Sequence, residues 1–261
     1  MSDFLPVETL AGDPGCGLIL LCDHASNAFP PGYGTLGLPP EQLLRHIAYD
    51  IGAGALTRAL SQRLRIPAAM TCFSRLLIDP NRGRDDPTLV MRLSDGAVVP
   101  GNRHIDADEK AQRIVRYYDP YDAAIAGLID AAVSAGRVPA LFSIHSFTPV
   151  WRGMPRPWHA AILWDRDPRL ARPFIDMLEA EGDLVVGDNE PYTGALHGDT
   201  MYRHGTARGL AHALIEVRQD LIGDEAGVAH WADRLAPMLQ AAQRLPDLDR
   251  VRHYGSHSDP A

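Results

Sequence analysis

The sequence predicts an α/β fold, a mainly parallel sheet with helices on its faces. Two patterns carry that expectation: short continuous apolar runs of strand length, and longer stretches between them with apolar residues at helical spacing. A third observation places the function. The runs Leu18–Cys22 and Val138–Ile144 each lead into a histidine, His24 and His145. Ligands gather beyond the carboxyl ends of strands in open α/β sheets, and two imidazoles in matching strand-end positions are what a two-histidine metal site needs.

In chain order, Leu18–Cys22 reads as a buried strand, followed by turn formers from Phe29 to Gly34. Asp50 stands where it would cap a helix carrying Ile51, Ala55, Leu56, Ala59, Leu60 and Leu64 on one face. Pro67–Cys72 and Arg75–Ile78 read either as one bent strand or as two short ones. Asp79–Arg103, interrupted by Pro80, Gly83, Pro87, Gly96, Pro100 and Gly101, lacks periodicity; loops of that length are usually functional or disordered. Asp106 with Glu109 forms a capping box for a helix to Tyr118, and Asp119-Pro120 restarts a helix to Ala135 as N-cap and first-turn proline. The strand ending at His145 follows, then a strand at His159–Trp164, a helix at Pro168–Glu181, a strand at Gly209–Val217 and a helix at Asp224–Leu245. Beyond Pro246 the chain is polar and is expected to fray. With no repeat, low-complexity block or linker, residues 1–261 read as one domain with its core at about 15–245.

Composition narrows the function. A chain of 261 residues, 46% hydrophobic and 22% charged, is long enough for a large core and ordinary for a globular protein. Its net charge of −8 argues against nucleic acid or an anionic membrane as main partner. No apolar run is long enough to span a bilayer, and the first residues lack the basic and apolar regions of a signal peptide. Cys16, Cys22 and Cys72 are odd in number and form no metal knuckle, so they read as free thiols in a reducing cytoplasm.

Two further segments carry chemistry. Period-two alternation puts His212, Leu214, Glu216 and Arg218 on one strand face. Glu216 shares the carboxyl edge with both histidine-bearing strands, where a zinc hydrolase needs a carboxylate to take a proton from the attacking water; a solvated edge residue is the plain alternative. In Arg75–Arg82, Asn81 and Arg82 suit binding of a substrate carboxylate, and Asp79 would hold that arginine or the turn. The structural alternative is a charged Asx-type turn.

The blocks Asp23-His24-Ala25-Ser26-Asn27, Ser74-Arg75 with Asp79-Pro80-Asn81-Arg82, Ser143-Ile144-His145-Ser146-Phe147 and Ile215-Glu216-Val217-Arg218 resemble the N-formylglutamate amidohydrolase family, in family order from about Leu18 to Leu245. More distantly they resemble the zinc carboxypeptidases and aspartoacylases. The resemblance implies a three-layer α/β/α sandwich with a mixed, mostly parallel sheet. It implies one zinc on His24 and His145, another divalent metal being open, with Asn27 at the position of the glutamate in His-x-x-Glu. Asn27 is the main departure, since an amide oxygen is a neutral and weaker ligand. Glu216 matches the general base and acid, Arg75 the residue polarising the scissile carbonyl, and Asn81 and Arg82 the carboxylate clamp. Arg218 and Tyr192 join the substrate-binding set. The implied reaction is hydrolysis of the formyl amide of a small N-acyl amino acid such as N-formylglutamate, in the cytoplasm, with a homo-oligomer open. The alternatives are a zinc deacylase or carboxypeptidase-like amidase with another acyl or peptide substrate, and a metal-free carboxylate-binding module.

Overall fold

A computed structural model describes residues 4–259. Along the chain lie β1 (Val7–Leu10), β2 (Leu18–Cys22), α1 (Ala53–Leu64), β3 (Ala68–Thr71), the hairpin β4–β5 (Leu93–Ser94, Ala97–Val98), α2 (Ala107–Arg113) and α3 (Asp119–Ser134). Then come β6 (Ala140–Phe147), the hairpin β7–β8 (Val150–Trp151, Met154–Pro155), β9 (Ala160–Leu163), α4 (Pro168–Ala180), β10 (Val186–Asp188), α5 (Thr200–His204), β11 (His212–Arg218) and α6 (Glu225–Ala242). Seven strands form one mixed, mostly parallel sheet in the order β1-β3-β2-β6-β11-β9-β10. β3, β2, β6 and β11 run parallel to one another; β9 is antiparallel to β11 with β10 parallel to β9, and β1 is antiparallel to β3.

The layers follow from strand parity. Leu18, Leu20 and Cys22 of β2 pack with Phe142, Ile144 and Ile215 under α1, α4 and α6. Ile19, Leu21, Leu141 and Leu214 face the other way, under Tyr121, Ile125 and Ile129 of α3 and Met201 of α5. Both faces are covered, which is why the inner strands read as unbroken apolar runs rather than alternating ones. No helix among the described residues is long and apolar enough to cross a membrane, and the three cysteines are free.

Several expectations need correction. Asp50 does not cap α1: Gly52 holds that position at φ +80°, and a Cβ there would lie 2.1 Å from Ile222 O. Asp106 does cap α2 through Glu109 N, but the Glu109 carboxylate turns to Arg113 instead of closing the box. No break precedes Pro120; a π-helical turn at Ile114–Tyr118 joins α2 to α3, and its wider hydrogen-bond loop accommodates a proline that can neither donate nor tolerate a tight preceding turn. Arg75–Ile78 is a buried turn, closed by Leu77 N donating to Ser74 O, rather than a strand. From Asp247 to His257 the chain is held rather than frayed: Arg169 donates to the carbonyls of Asp247 and Arg250, Leu248 is buried, and His257 N donates to Asp165.

Candidate active site

The site lies at the carboxyl ends of β2, β6 and β11, on the sheet face covered by α3 and α5. Three loops are stitched together there. Asp50 N donates to His24 O, the Ser74 hydroxyl to Ala48 O, and the Ser146 hydroxyl to Ile51 O. Gly54 lets α1 start against the turn after β2, since a Cβ there would meet Ala25 O at 2.8 Å. This stitching carries the Asp50 carboxylate, 26 residues from His24 in sequence, between the two histidines. Asp50 Oδ2 lies 3.3 Å from His24 Nδ1 and 2.8 Å from His145 Nδ1. The ligand atoms of His24, Asp50 and His145 all fall within 4.8 Å of one another, and all three residues are buried.

Each imidazole is held from behind by a second carboxylate. His24 Nε2 is 2.7 Å from Asp79 Oδ1, and His145 Nε2 is 2.8 Å from Asp23 Oδ2. Asp79 also accepts from Arg75 Nε (3.1 Å) and from the Arg75 terminal nitrogen (2.7 Å). Asp23 accepts from the hydroxyls of Ser143 (3.0 Å) and Thr200 (2.6 Å). Burial works against ionisation of Asp23 and Asp79, but His145 brings Asp23 down to about 2, and the Arg75 guanidinium holds Asp79 well below the usual carboxylate range. For His145, burial opposes the charged ring, and Asp23 and Asp50 more than offset it, raising it well above the ordinary imidazole range.

These residues fit a divalent cation. Two imidazole nitrogens and one carboxylate oxygen converge, a donor set suited to zinc. The outward nitrogen of each ring is fixed by a carboxylate, which sets the tautomer that leaves the inward nitrogen free to ligate.

Glu216 sits directly across from His145 in the parallel β6–β11 register. Its Oε2 is buried without a hydrogen-bond partner among the described residues, and burial pushes its carboxyl up to about 7. Arg75, beyond its bonds to Asp79, reaches Asp50 Oδ1 only at 3.5 Å. Asn81 accepts from Thr200 N, and its Nδ2 finds no acceptor among the described residues. Arg82 donates to Asn81 O and the Thr88 hydroxyl and, among the described residues, to no carboxylate. Glu216, Arg75, Asn81, Arg82 and Tyr192 all line one cavity of about 530 Å³ with the two histidines.

Two expected site residues are not brought in. The side-chain amide of Asn27 donates to Leu43 O at 2.9 Å, so the third member of the histidine cluster is Asp50, not Asn27. Arg218 turns to Asp220 and to the carbonyls of Arg156 and Trp158, away from the cavity, because the exposed end of β11 gives it nearer acceptors. The residues to which sequence reading gave no site role are Asp23, Asp50, Ser143 and Thr200. Only Asp23, adjacent to His24 at a buried strand end, carried a local signal.

Fold and site together define a hydrolase class, an α/β sandwich with a buried acid beside a His–Asp–His cluster at the strand ends. The family follows from the sequence: the chain belongs to the N-formylglutamate amidohydrolases, hydrolases of amide bonds, whose family model matches residues 16–223. Its structure is similar to that of the gene product Atu2144 from Agrobacterium tumefaciens, 34% identical, with a TM-score of 0.84 over 91% of this chain and 94% of that one. It shares its fold with N-formylglutamate amidohydrolase from Ralstonia eutropha JMP134, 23% identical, with a TM-score of 0.70 over 91% of this chain and 97% of that one. Among curated proteins, none matches this chain.

Proposed function

We propose that this protein is a zinc-dependent amidohydrolase that removes the acyl group from an N-acyl amino acid, the reaction class for which its family is named. One observation carries the reading: the unpartnered Glu216 carboxylate stands beside His145 in register, within the same cavity as the converging His24, Asp50 and His145. His24, Asp50 and His145 would hold the ion. Zinc at such a site supplies Lewis-acid polarisation of the scissile carbonyl and acidifies water.

The remaining work belongs to the chain's own side chains. Glu216 takes the proton of the attacking water at Oε2 and returns it to the nitrogen of the leaving amine. A carboxyl near 7 suits both roles, since it neither holds nor releases the proton too strongly at neutral pH. Arg75, anchored to Asp79 through Nε and one terminal nitrogen, holds its other terminal nitrogen only 3.5 Å from Asp50 Oδ1, and that nitrogen would turn to the oxygen that gains charge as the amide carbon becomes tetrahedral. Arg82 and the Asn81 amide bind the substrate carboxylate and hold the amide in line.

The test is hydrolysis of a panel of N-formyl and N-acetyl amino acids by protein loaded with zinc and by the same protein after chelation. Turnover should require the metal, and the His24→Ala, His145→Ala double variant should bind none. Equal turnover before and after chelation, or full zinc occupancy in the double variant, would falsify the reading.

A further inference from the structure

Resting on the amidohydrolase reading, we propose that the site takes an N-acyl amino acid with a single carboxylate and an apolar group of several carbons, seated in a pouch beside the catalytic cluster, in preference to a dicarboxylate such as N-formylglutamate.

The cavity does not end at the histidines. It continues down the sheet face along β11, where Glu216, Leu214 and His212 all line it. At about 3.3 Å per residue the wall from Glu216 to His212 is roughly 13 Å long. β9 runs antiparallel beside β11 and sets Leu163 opposite Leu214, while α5 supplies Met201 and the loop before α5 supplies Leu196. A formyl group is one carbon and leaves this pouch empty. An alkyl chain or aromatic ring covers the apolar walls, at roughly 0.8 kcal/mol per methylene removed from water.

The floor of the pouch carries no charge to meet a carboxylate. His212 Nδ1 donates to Leu210 O at 2.8 Å, so its Nε2 accepts from the Thr206 hydroxyl at 3.2 Å, and burial pushes the ring's pKa down. Gly205 allows this placement, because a Cβ there would lie 2.4 Å from the imidazole.

The distribution of cations points the same way. Of the guanidinium groups lining the cavity among the described residues, Arg75 is engaged by Asp79 and Asp50, and only Arg82 lacks a carboxylate partner. Arg156 stands behind the wall: its guanidinium lies over the rings of Phe147, Trp151 and Tyr192 and donates to Thr148 and Tyr192. Asp50, Asp199 and Glu216, which also line the cavity, supply no positive charge. One carboxylate therefore finds a partner at Arg82, and a second would be desolvated without one, at a cost of several kcal/mol. Gln219 Nε2, buried in the cavity without an acceptor among the described residues, offers a neutral donor to a substrate oxygen but compensates no charge.

The experiment measures kcat/KM of the zinc-loaded protein for N-formyl-glutamate, N-formyl-leucine, N-formyl-phenylalanine, N-hexanoyl-glycine and N-formyl-glycine. Binding of the same compounds to the Glu216→Gln variant is followed by calorimetry. We expect at least one apolar mono-carboxylate to exceed N-formyl-glutamate by about tenfold or more in both measurements, since an apolar pocket discriminates by roughly 10–200-fold per group. The leucine and phenylalanine compounds test an apolar side chain in the pouch, and the hexanoyl compound an apolar acyl chain. Filling the pouch with Leu214→Trp, or with Met201→Phe if the first does not fold, should lower the ratio of the preferred apolar substrate to N-formyl-glycine by tenfold. N-formyl-glutamate equal to or better than every apolar compound overturns the inference while leaving the amidohydrolase reading intact. If no compound is hydrolysed, that reading fails, and calorimetry still decides the pouch: tighter binding of apolar compounds supports it, and no binding or tighter binding of the glutamate compound overturns it.

Discussion

Replacing Asp79 by asparagine changes one oxygen for one NH₂ at a wholly buried position and should weaken the metal site without touching a ligand. Asp79 is an acceptor four times over: from His24 Nε2 and Asn81 N at Oδ1, and twice from Arg75 at Oδ2. An amide serves only half of this set, whichever way it is turned. With its NH₂ towards Arg75, it faces donors and loses both guanidinium bonds. With its NH₂ towards His24, it donates to Nε2 and moves the ring proton to Nδ1, the nitrogen that faces Asp50 and His145. Either outcome removes the support that orients the ring, and loss of such outer partners lowers metal affinity by about 10–100-fold. Removing the partner of a buried cation also costs about 3 kcal/mol, the low end for a broken buried pair, because Arg75 keeps 18% exposure and a contact with Asp50. Chelator competition reads the affinity, and urea unfolding in EDTA reads the stability. Wild-type affinity in the Asp79→Asn variant would show that His24 is not held for a metal, and the cluster would have to be read as a purely structural one.

Other substitutions separate the remaining roles. Glu216→Gln should lower kcat by about 10²–10⁴-fold and leave the zinc content unchanged; retention of near-normal kcat would move the proton acceptor elsewhere. Asn27→Ala removes only the bond to Leu43 O, so it should cost about 1 kcal/mol in unfolding and leave zinc affinity alone, whereas a large loss of affinity would restore Asn27 to the metal site. Asp199 caps α5, and burial raises its carboxyl from 3.8 to about 7 in the folded protein. Its contribution to stability is thus fully present below about pH 4 and is lost as pH rises through 7. Asp199→Asn keeps the cap and cannot ionise, so the variant should gain on wild type by a few kcal/mol between pH 4 and 8; parallel unfolding midpoints across that range would contradict the burial argument.

Much of this could be read from the chain because buried parallel strands announce themselves. β2, β6 and β11 appear as apolar runs, and a histidine or glutamate at the end of such a run has no core reason to be there. β1 was invisible for the opposite reason: Val7–Leu10 is a half-covered edge strand with a glutamate and a threonine inside it. Asp50 was misread because an aspartate near the start of a helix satisfies a local rule, while its actual partners come from β2 and β6 and are fixed only when the loops close. Arg218 shows the limit of periodicity, which assigns a face but not the acceptors available where a strand leaves the sheet. Arg75–Ile78 looked like a strand because it is apolar. Leu76, Leu77 and Ile78 are buried, but in satellite clusters under the long loop rather than in the sheet.

The reversed direction of β9 reaches beyond topology. Because β9 and β10 run against β11, the chain leaving β10 must cross the sheet face to reach α5, and it does so as the irregular segment Asn189–Asp199. That segment is pinned by Asn189 Oδ1, which accepts from Trp164 N and Gly194 N, and by the packing of Gly194 against the Trp164 backbone, where a Cβ would lie 2.3 Å from Trp164 N. It helps to wall the pouch through Ala195 and Leu196 yet contributes none of the His24, Asp50, His145 or Glu216 side chains. The pouch is thus walled by this crossing segment together with β9 and β11, whereas the four side chains of the cluster come from the ends of β2, β6 and β11 and from the loop before α1. Substitutions confined to the crossing segment would therefore reshape one wall of the cavity while leaving those four side chains in place.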